Sequence, residues 1–294
     1  MKKILAFGEL LLNPGRAGQK LFGAPAVFSW YARQLGLMPC IVSSVGKDET
    51  GRRLIGELRQ RGFDMSYIDV AAPVPTGLLK TGNAAEGAQY DIPAPAAFDT
   101  IEMNPLTAKL AREADVIYFN TLGQRAVTSR ETLFEIFDEA KPGALKLFDI
   151  NLRGRYYTRQ VVEESLRISD IFKISFEEWH TFANLFYLQD YETDEICARL
   201  LDKYELKAVV LTRSEEGCTI YTPGGAARSP GVPVGKLTDI SGAADAFSAV
   251  LVDGWLKGLP AEVIGEAANK VASYTCGQPG PMTVLPPPLM NVLK

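Results

Sequence analysis

Histidine is nearly missing from this chain, with His180 the sole example among 294 residues. The four cysteines, Cys40, Cys197, Cys218 and Cys276, lie far apart without a CxxC spacing. Together these scarcities leave no pattern for a structural zinc site, and they fit buried or half-buried thiols in a reducing compartment. No GxSxG elbow surrounds a serine, and His180 falls within a helical stretch, so a serine-hydrolase triad has no footing. No GK[ST] follows a glycine turn, which removes the Walker A loop. The run Ile4–Phe7 leads into GELLLNPG with no GxGxxG, which disfavours a dinucleotide fold. Basic residues are not in excess: 31 Lys and Arg against 35 Asp and Glu give a net charge of −4, without the footprint of a nucleic-acid binder. That average leaves the sign of any local field open. The opening MKKILAFGELLLNPG holds an apolar run too short to span a bilayer, followed by no small-residue cleavage site. A first strand, a cytoplasmic location and no membrane partner are therefore expected.

What is present is a hydrophobic fraction of 47%, enough for a packed core. Short apolar runs alternate with helical periodicity. Ile4–Phe7, Cys40–Val45, Val116–Asn120, Leu145–Ile150, Ile171–Ile174 and Ala208–Thr212 read as strands. Ala26–Leu35, Gly51–Arg61, Arg130–Ala140, Gln160–Ile168, Glu177–Leu185, Thr193–Tyr204, Ala243–Lys257 and Pro260–Thr275 read as helices. This rhythm predicts an α/β domain on a mainly parallel sheet, with an antiparallel strand or two at one edge around Cys218–Tyr221 and 223–238. No repeat or linker divides the chain, so 1–294 is expected to form a single domain.

Two stretches depart from the rhythm. Residues 13–24 are rich in Gly and Pro and read as a loop. Between 73 and 100, Pro73, Pro75, Gly77, Gly82, Gly87, Pro93 and Pro95 punctuate short pieces such as Leu78–Thr81 and Gln89–Ile92. These pieces form either small strands outside the main sheet, as a flap over a cleft, or a plain surface excursion.

The most informative segment is Thr238-Asp239-Ile240-Ser241-Gly242-Ala243-Ala244-Asp245-Ala246-Phe247. A polar loop with one glycine feeds into a helix of small residues. Such a helix start offers unpaired N–H groups and a positive dipole end, a ready site for phosphate. Asp245 at that end can cap the helix or orient a hydroxyl and accept its proton.

Asp239–Phe247 resembles the DTxGAGDAF signature of the ribokinase-like (PfkB-type) sugar kinases. Gly8-Glu9 followed by Asn13 is similar to GExLxD. Phe22-Gly23-Ala24-Pro25-Ala26 is similar to GGAPAN, and Arg33–Gly36 to the helix end after it. Val45–Asp48 with Gly51 matches VGxDxxG, and Thr76-Gly77 matches the lid TG. Asp149–Arg153 resembles DxNxR, and Asp170–Glu178 the stretch ending K-x-N-x-x-E. The tail Cys276–Pro286 points toward the fructokinase-like branch. The resemblance runs over nearly the whole chain. It implies a three-layer α/β/α fold with a small β lid contributed mainly by about 10–30 and 73–100.

By that resemblance the chain is an ATP-dependent carbohydrate kinase. Asp245 would be the base facing a primary hydroxyl of a sugar, fructose or a related ketose. The N–H groups of Gly242, Ala243 and Ala244 would form the anion hole, with Arg153 near the phosphates. Lys173, Ser175 and Glu178 occupy positions tied to nucleotide and Mg²⁺, with Glu178 reaching the metal through water. Thr212, Ser214, Gly217, Asn269 and Cys276 would border the adenine. Asn13, Gly23, Val27 and Asn151 would contact the sugar. A monovalent cation in the loop network and a homodimer through the lid are further arrangements found in such relatives. Arg125 is expected at the sheet's carboxyl edge, exposed or meeting a charged substrate, and Tyr156 and Tyr157 stand where an aromatic follows the arginine.

The departures from the pattern concentrate on the sugar. Asn13 replaces an acid, Val27 an asparagine and Phe22 a glycine, so charge-assisted and amide contacts to hydroxyls are lost. Ala244 replaces the second glycine of GAGD, Ser175 an asparagine and Ser214 a glycine. Two readings remain: a kinase with an altered acceptor pocket, or a weak or inactive member that binds nucleotide or a sugar-like ligand in a regulatory role.

Overall fold

The computed structural model describes residues 1–13, 20–71, 74–81 and 90–294. They form two compact units. The first comprises Met1–Ser29, Met38–Ala144 and Leu152–Tyr157; the second comprises Trp30–Leu37, Leu145–Asn151 and Thr158–Lys294.

In the first unit the chain runs through β1 (Lys3–Phe7), β2 (Leu11–Asn13) and β3 (Lys20–Phe22) into α1 (Ala24–Gln34), whose residues from Trp30 onward belong to the second unit. It continues through β4 (Met38–Gly46), α2 (Glu49–Gln60), β5 (Ile68–Ala71), β6 (Gly77–Leu78), β7 (Lys80–Thr81) and β8 (Tyr90–Asp91). It closes with α3 (Pro105–Glu113), β9 (Val116–Phe119) and α4 (Val127–Glu139). Four of these strands lie in the order β9-β1-β4-β5, every pair parallel. Ile4 to Phe7 and Val116 to Phe119 have no exposed surface, which is why both segments read as unbroken apolar runs. β5 buries only Ile68 of its four residues and carries no such signal. The sequence reading missed it, and missed α3, whose Asn104 cap and first-position Pro105 are a start signal in their own right.

The flap reading is met by two small sheets. β3-β2-β6 form one, with β2–β3 antiparallel and β2–β6 parallel, and β7–β8 form the other, antiparallel. The expected loop over 13–24 therefore contains β3. Its residues 14–19, like Pro73, Gly82, Gly87 and Gln89, lie outside the described residues.

The second unit holds β10 (Leu145–Asp149), α5 (Arg159–Ile168), β11 (Ile171–Ser175), α6 (Phe176–Phe186), α7 (Thr193–Lys203) and β12 (Ala208–Thr212). β13 (Cys218–Thr222), β14 (Gly225–Ser229), α8 (Ala243–Leu256), α9 (Ala261–Cys276) and the short α10 (Pro287–Met290) follow. β10, β11 and β12 are parallel; β13 and β14 add on antiparallel, the edge pair expected from the turn-rich stretch. α8 buries Ala246 to Gly254 almost continuously, as a helix of small residues packed on α9 must. Among the described residues no helix is long and apolar enough to cross a membrane.

Candidate active site

The loop before α8 is held by the C-terminal tail. The N–H groups of Thr238 and Asp239 both donate to the Cys276 carbonyl, at 2.9 and 3.1 Å. The Asp239 carboxylate accepts from Ser241 N–H at 2.9 Å and from Gly280 N–H at 3.0 Å. Gly242 is the N-cap of α8, with φ 82°, and a Cβ there would stand 2.2 Å from the Pro281 oxygen. Glycine is thus required at 242 for both backbone and space. The tail is pinned in turn by α1: the Tyr31 hydroxyl donates to the Pro281 carbonyl at 2.9 Å, and Trp30 Nε1 donates to the Thr283 carbonyl at 2.7 Å. Tyr31 is fully buried and Trp30 partly so, and burial raises the Tyr31 pKa.

With Gly242 as cap, Asp245 falls in the first turn of α8 and is half-buried. Ala244 is an ordinary helical residue there, so alanine stands in for glycine without strain. Ala243 N–H reaches the Ile240 carbonyl at 3.3 Å. Among the described residues the N–H groups of Gly242 and Ala244 make no hydrogen bond to a backbone carbonyl. The helix dipole and the first N–H groups of α8 therefore converge on the turn that carries Asp245.

Most residues assigned to the nucleotide gather at the ends of β11 and β12. Ser175 and Thr212 are paired in register. Ser175 and Glu178 form a reciprocal capping box on α6: the Ser175 hydroxyl donates to Glu178 at 2.8 Å, the Ser175 N–H donates at 3.0 Å, and the Glu178 N–H donates to the Ser175 hydroxyl at 3.3 Å. Ser214 adopts φ 45°, the left-handed conformation that a glycine would take freely, and its hydroxyl donates to Glu177 at 2.6 Å. Burial pushes the Glu177 carboxyl up, but the Ser214 bond and other donors outweigh this and hold it below the usual range. Gly217, at φ 92°, has room for no side chain, since a Cβ would meet the Ser229 oxygen at 2.2 Å. Asn269 donates to that same oxygen at 3.1 Å and to the Pro230 carbonyl at 2.9 Å.

Lys173 is placed differently. It is 1% exposed, and its ammonium donates to both oxygens of Asp149 at 3.0 and 2.9 Å. The Ser248 hydroxyl of α8 joins the same carboxylate at 2.9 Å. Two residues beyond Asp149, Asn151 closes the strand with φ 45° and is half-buried.

In the first unit Glu9 is a buried carboxylate that the sequence reading passed over as part of GExLxD. It accepts from Asn120 Nδ2 at 3.0 and 3.3 Å and from Ala24 N–H, the start of α1, at 3.0 Å. Burial raises its pKa against these donors and the nearby charge of Arg153. Gly23 has φ 120°, with a virtual Cβ 2.3 Å from the Glu9 carbonyl oxygen. Asn13 is half-buried on β2, whereas Val27 is 1% exposed inside α1. Arg153 is exposed. Arg125 is not: its side chain is 5% exposed and ion-paired with Asp99 at 2.7 Å. The exposed arginine expected there is corrected by a partner 26 residues upstream that no local signal announces.

Among the described residues no cluster of three His, Cys, Asp or Glu could hold a metal. Glu178 fits a more sparing arrangement, since magnesium binds with one or two carboxylates, phosphate oxygens and several waters. The four thiols are buried or half-buried; burial pushes Cys40 and Cys218 up to about 11 and Cys197 up to about 12, which makes them unreactive. His180 is exposed, beside Asn184 at 2.9 Å.

A family model described as pfkB family carbohydrate kinase matches residues 3–288. A sugar kinase of Pyrococcus horikoshii is 28% identical over 266 residues, covering 88% of this chain and 81% of that one. The crystal structure of that uncharacterized sugar kinase superposes with a TM-score of 0.79 over 96% of this chain and 94% of its own, at 26% identity. A second structure of it is a complex with ATP. A fructokinase of Solanum tuberosum is 26% identical over 266 residues, 85% of this chain and 79% of the relative. A fructokinase from Xylella fastidiosa with bound ATP shares the fold at a TM-score of 0.82 over 99% of this chain and 98% of that one, with 19% identity.

Proposed function

Because the chain belongs to the pfkB family of carbohydrate kinases, we propose that it transfers the γ-phosphoryl of ATP to a primary hydroxyl of a sugar, fructose or a related ketose. The observation that carries this reading is the left-handed Gly242 cap, which sets the first N–H groups of α8 outside the backbone ladder with Asp245 in the first turn. Charge that develops on a transferring phosphoryl group needs fixed donors, and the attacking hydroxyl needs an acceptor for its proton. Asp245 is that acceptor; the amides of Gly242 and Ala244, and that of Ala243 once it leaves the Ile240 carbonyl, face the phosphate charge. ATP bound to a Pyrococcus horikoshii relative and to a Xylella fastidiosa fructokinase supports ATP as the donor. Ser175, Glu178, Thr212, Ser214, Gly217 and Asn269 are assigned to the nucleotide. Asn13, Gly23 and Asn151 are assigned to the sugar. Magnesium, met by Glu178 through water, would neutralise phosphate charge when bound.

The acceptor set is less polar than the family pattern, because Val27 is a buried hydrocarbon. That observation favours a second reading, a weak or inactive member that binds nucleotide or a sugar-like ligand. One experiment separates the two: ADP formation from MgATP across ketoses, aldoses, nucleosides and sugar alcohols, with Asp245→Asn as control. Sugar-dependent turnover lost by orders of magnitude in the control supports the kinase. An undiminished rate in Asp245→Asn sinks the base assignment, and ATP binding without turnover on any acceptor supports the regulatory reading.

A further inference from the structure

We infer that Lys173, Asp149 and Ser248 act together as positioning residues, holding the first turn of α8, and Asp245 with it, against the end of β10. This inference rests on the reading of Asp245 as the base. The three side chains lie on three elements, β11, β10 and α8, and are 1%, 5% and 0% exposed. The Lys173 ammonium spans both Asp149 oxygens at 3.0 and 2.9 Å. The Ser248 hydroxyl lies 2.9 Å from Asp149 Oδ2 and 2.9 Å from the carbonyl of Ala244, one turn earlier in its own helix. It therefore makes a three-centre bond that fixes the tilt of that carbonyl. Ala244 immediately precedes Asp245, so the chain of contacts ends one residue from the base. The same cluster grips the strand end, because the Ile150 N–H donates to the Lys173 carbonyl at 3.0 Å just before Asn151 turns to φ 45°.

Stability alone is a poor reason for such a cluster. Desolvation of a buried lysine and aspartate offsets most of their attraction, and packed apolar residues would serve the core as well. Nor can a nucleotide reach an ammonium with 1% exposure. What the cluster supplies is direction: hydrogen bonds of fixed geometry that run from the middle of β11 through the end of β10 to the one helix start where phosphoryl transfer is placed. Misplacement of a reacting group by about 1 Å costs on the order of 100-fold in rate.

The test compares Ser248→Ala and Lys173→Met with the wild type by two readouts. The first is amide hydrogen exchange across residues 242–248 in the ligand-free protein. The second is kcat and KM for MgATP and for the acceptor found in the panel above. The expected result is a kcat lower by roughly 10- to 100-fold, both KM values nearly constant, and faster exchange confined to 242–248. Unchanged kcat and exchange would overturn the inference. So would faster exchange throughout the second unit with kcat and KM altered together, which marks a purely structural role. If Lys173→Met fails to fold, Ser248→Ala decides alone. If the wild type phosphorylates no acceptor, the kinase reading fails separately, and local exchange in Ser248→Ala still supports or overturns the positioning of the turn.

Discussion

The Thr76 hydroxyl donates to Asp48 at 2.7 Å and accepts the Gly46 N–H at 2.9 Å, joining two sequence motifs into one object. Asp48 also accepts the N–H groups of Thr76 at 2.8 Å and Gly51 at 2.7 Å, the latter as N-cap of α2. The strand β6 starts at the next residue and pairs with β2. The end of β4, the start of α2 and the base of one small sheet are therefore fastened at a single carboxylate.

Thr76→Val keeps the shape but leaves the Gly46 N–H buried without its acceptor. A loss of about 1–3 kcal/mol is expected, read by chemical denaturation. Burial pushes the Asp48 carboxyl up, but the Thr76 and Gly51 N–H groups and the Thr76 hydroxyl outweigh it and hold the pKa below the usual range. A depressed folded pKa contributes stability present above the unfolded value of about 4 and lost as pH falls through the folded one. The deficit of Thr76→Val should therefore be largest at neutral pH and narrow below about pH 4. A deficit that does not depend on pH would remove Asp48 from the account.

Gly242→Ala should be among the most damaging single-methyl changes in the chain. A left-handed conformation costs an L-residue about 1–2 kcal/mol, and the new Cβ would lie 2.2 Å from the Pro281 oxygen, a backbone atom held by Tyr31. If the amides at the start of α8 form the proposed anion hole, turnover should fall on the order of 100- to 1,000-fold as they shift. By contrast, Ala244→Gly places glycine in a helix and should cost only about 1 kcal/mol of stability. Equal stability losses at the two positions in thermal melts would contradict the assigned cap.

Most of the fold was legible because parallel strands buried on both faces must be unbroken apolar runs. Ile4–Phe7 and Ala208–Thr212 show it plainly. β5 was not legible, since an edge strand with one buried residue has no period to detect. At the site, the polar loop from Asp239 feeding a helix of small residues could be read, but the cap of that helix is Gly242 and not Asp245, the residue the sequence offered for it. The sequence could not show that Lys173 is turned inward to Asp149, because β11 is buried on both faces without alternation and the polar partners sit on β10 and α8, distant in sequence. Glu9, Asn120 and Ser248 escaped for the same reason: each acts through a partner about a hundred residues distant.

Ser214 offers a test of a strained turn. Its φ of 45° is stabilised by one side-chain bond, from its hydroxyl to Glu177 at 2.6 Å. Ser214→Ala removes the bond and keeps the strain, whereas Ser214→Gly removes both. The glycine variant should be more stable than the alanine variant by about 1 kcal/mol. Urea denaturation of the pair decides it, and a more stable alanine variant would mean that the turn is not left-handed in solution.

Arg125 makes the strongest case for geometry over charge. Its guanidinium bonds Asp99 through Nε and Nη2 at 2.7 and 2.8 Å, and the Ile92 and Pro93 carbonyls at 2.7 and 3.1 Å. The Phe98 and Tyr156 rings lie 4.5 and 4.7 Å from it, and the Tyr156 hydroxyl donates to Asp91 at 2.7 Å. One planar cation thus ties the chain after β8 to the excursion that carries Arg153. Arg125→Ala would strand Asp99 as a buried, uncompensated charge, with an expected loss of about 3–5 kcal/mol. Arg125→Lys keeps the charge but can match neither the fork nor the stacking, so it should recover less than half of that loss. Full recovery by lysine in equilibrium unfolding would show that net charge alone, rather than the planar fork between two rings, holds this junction.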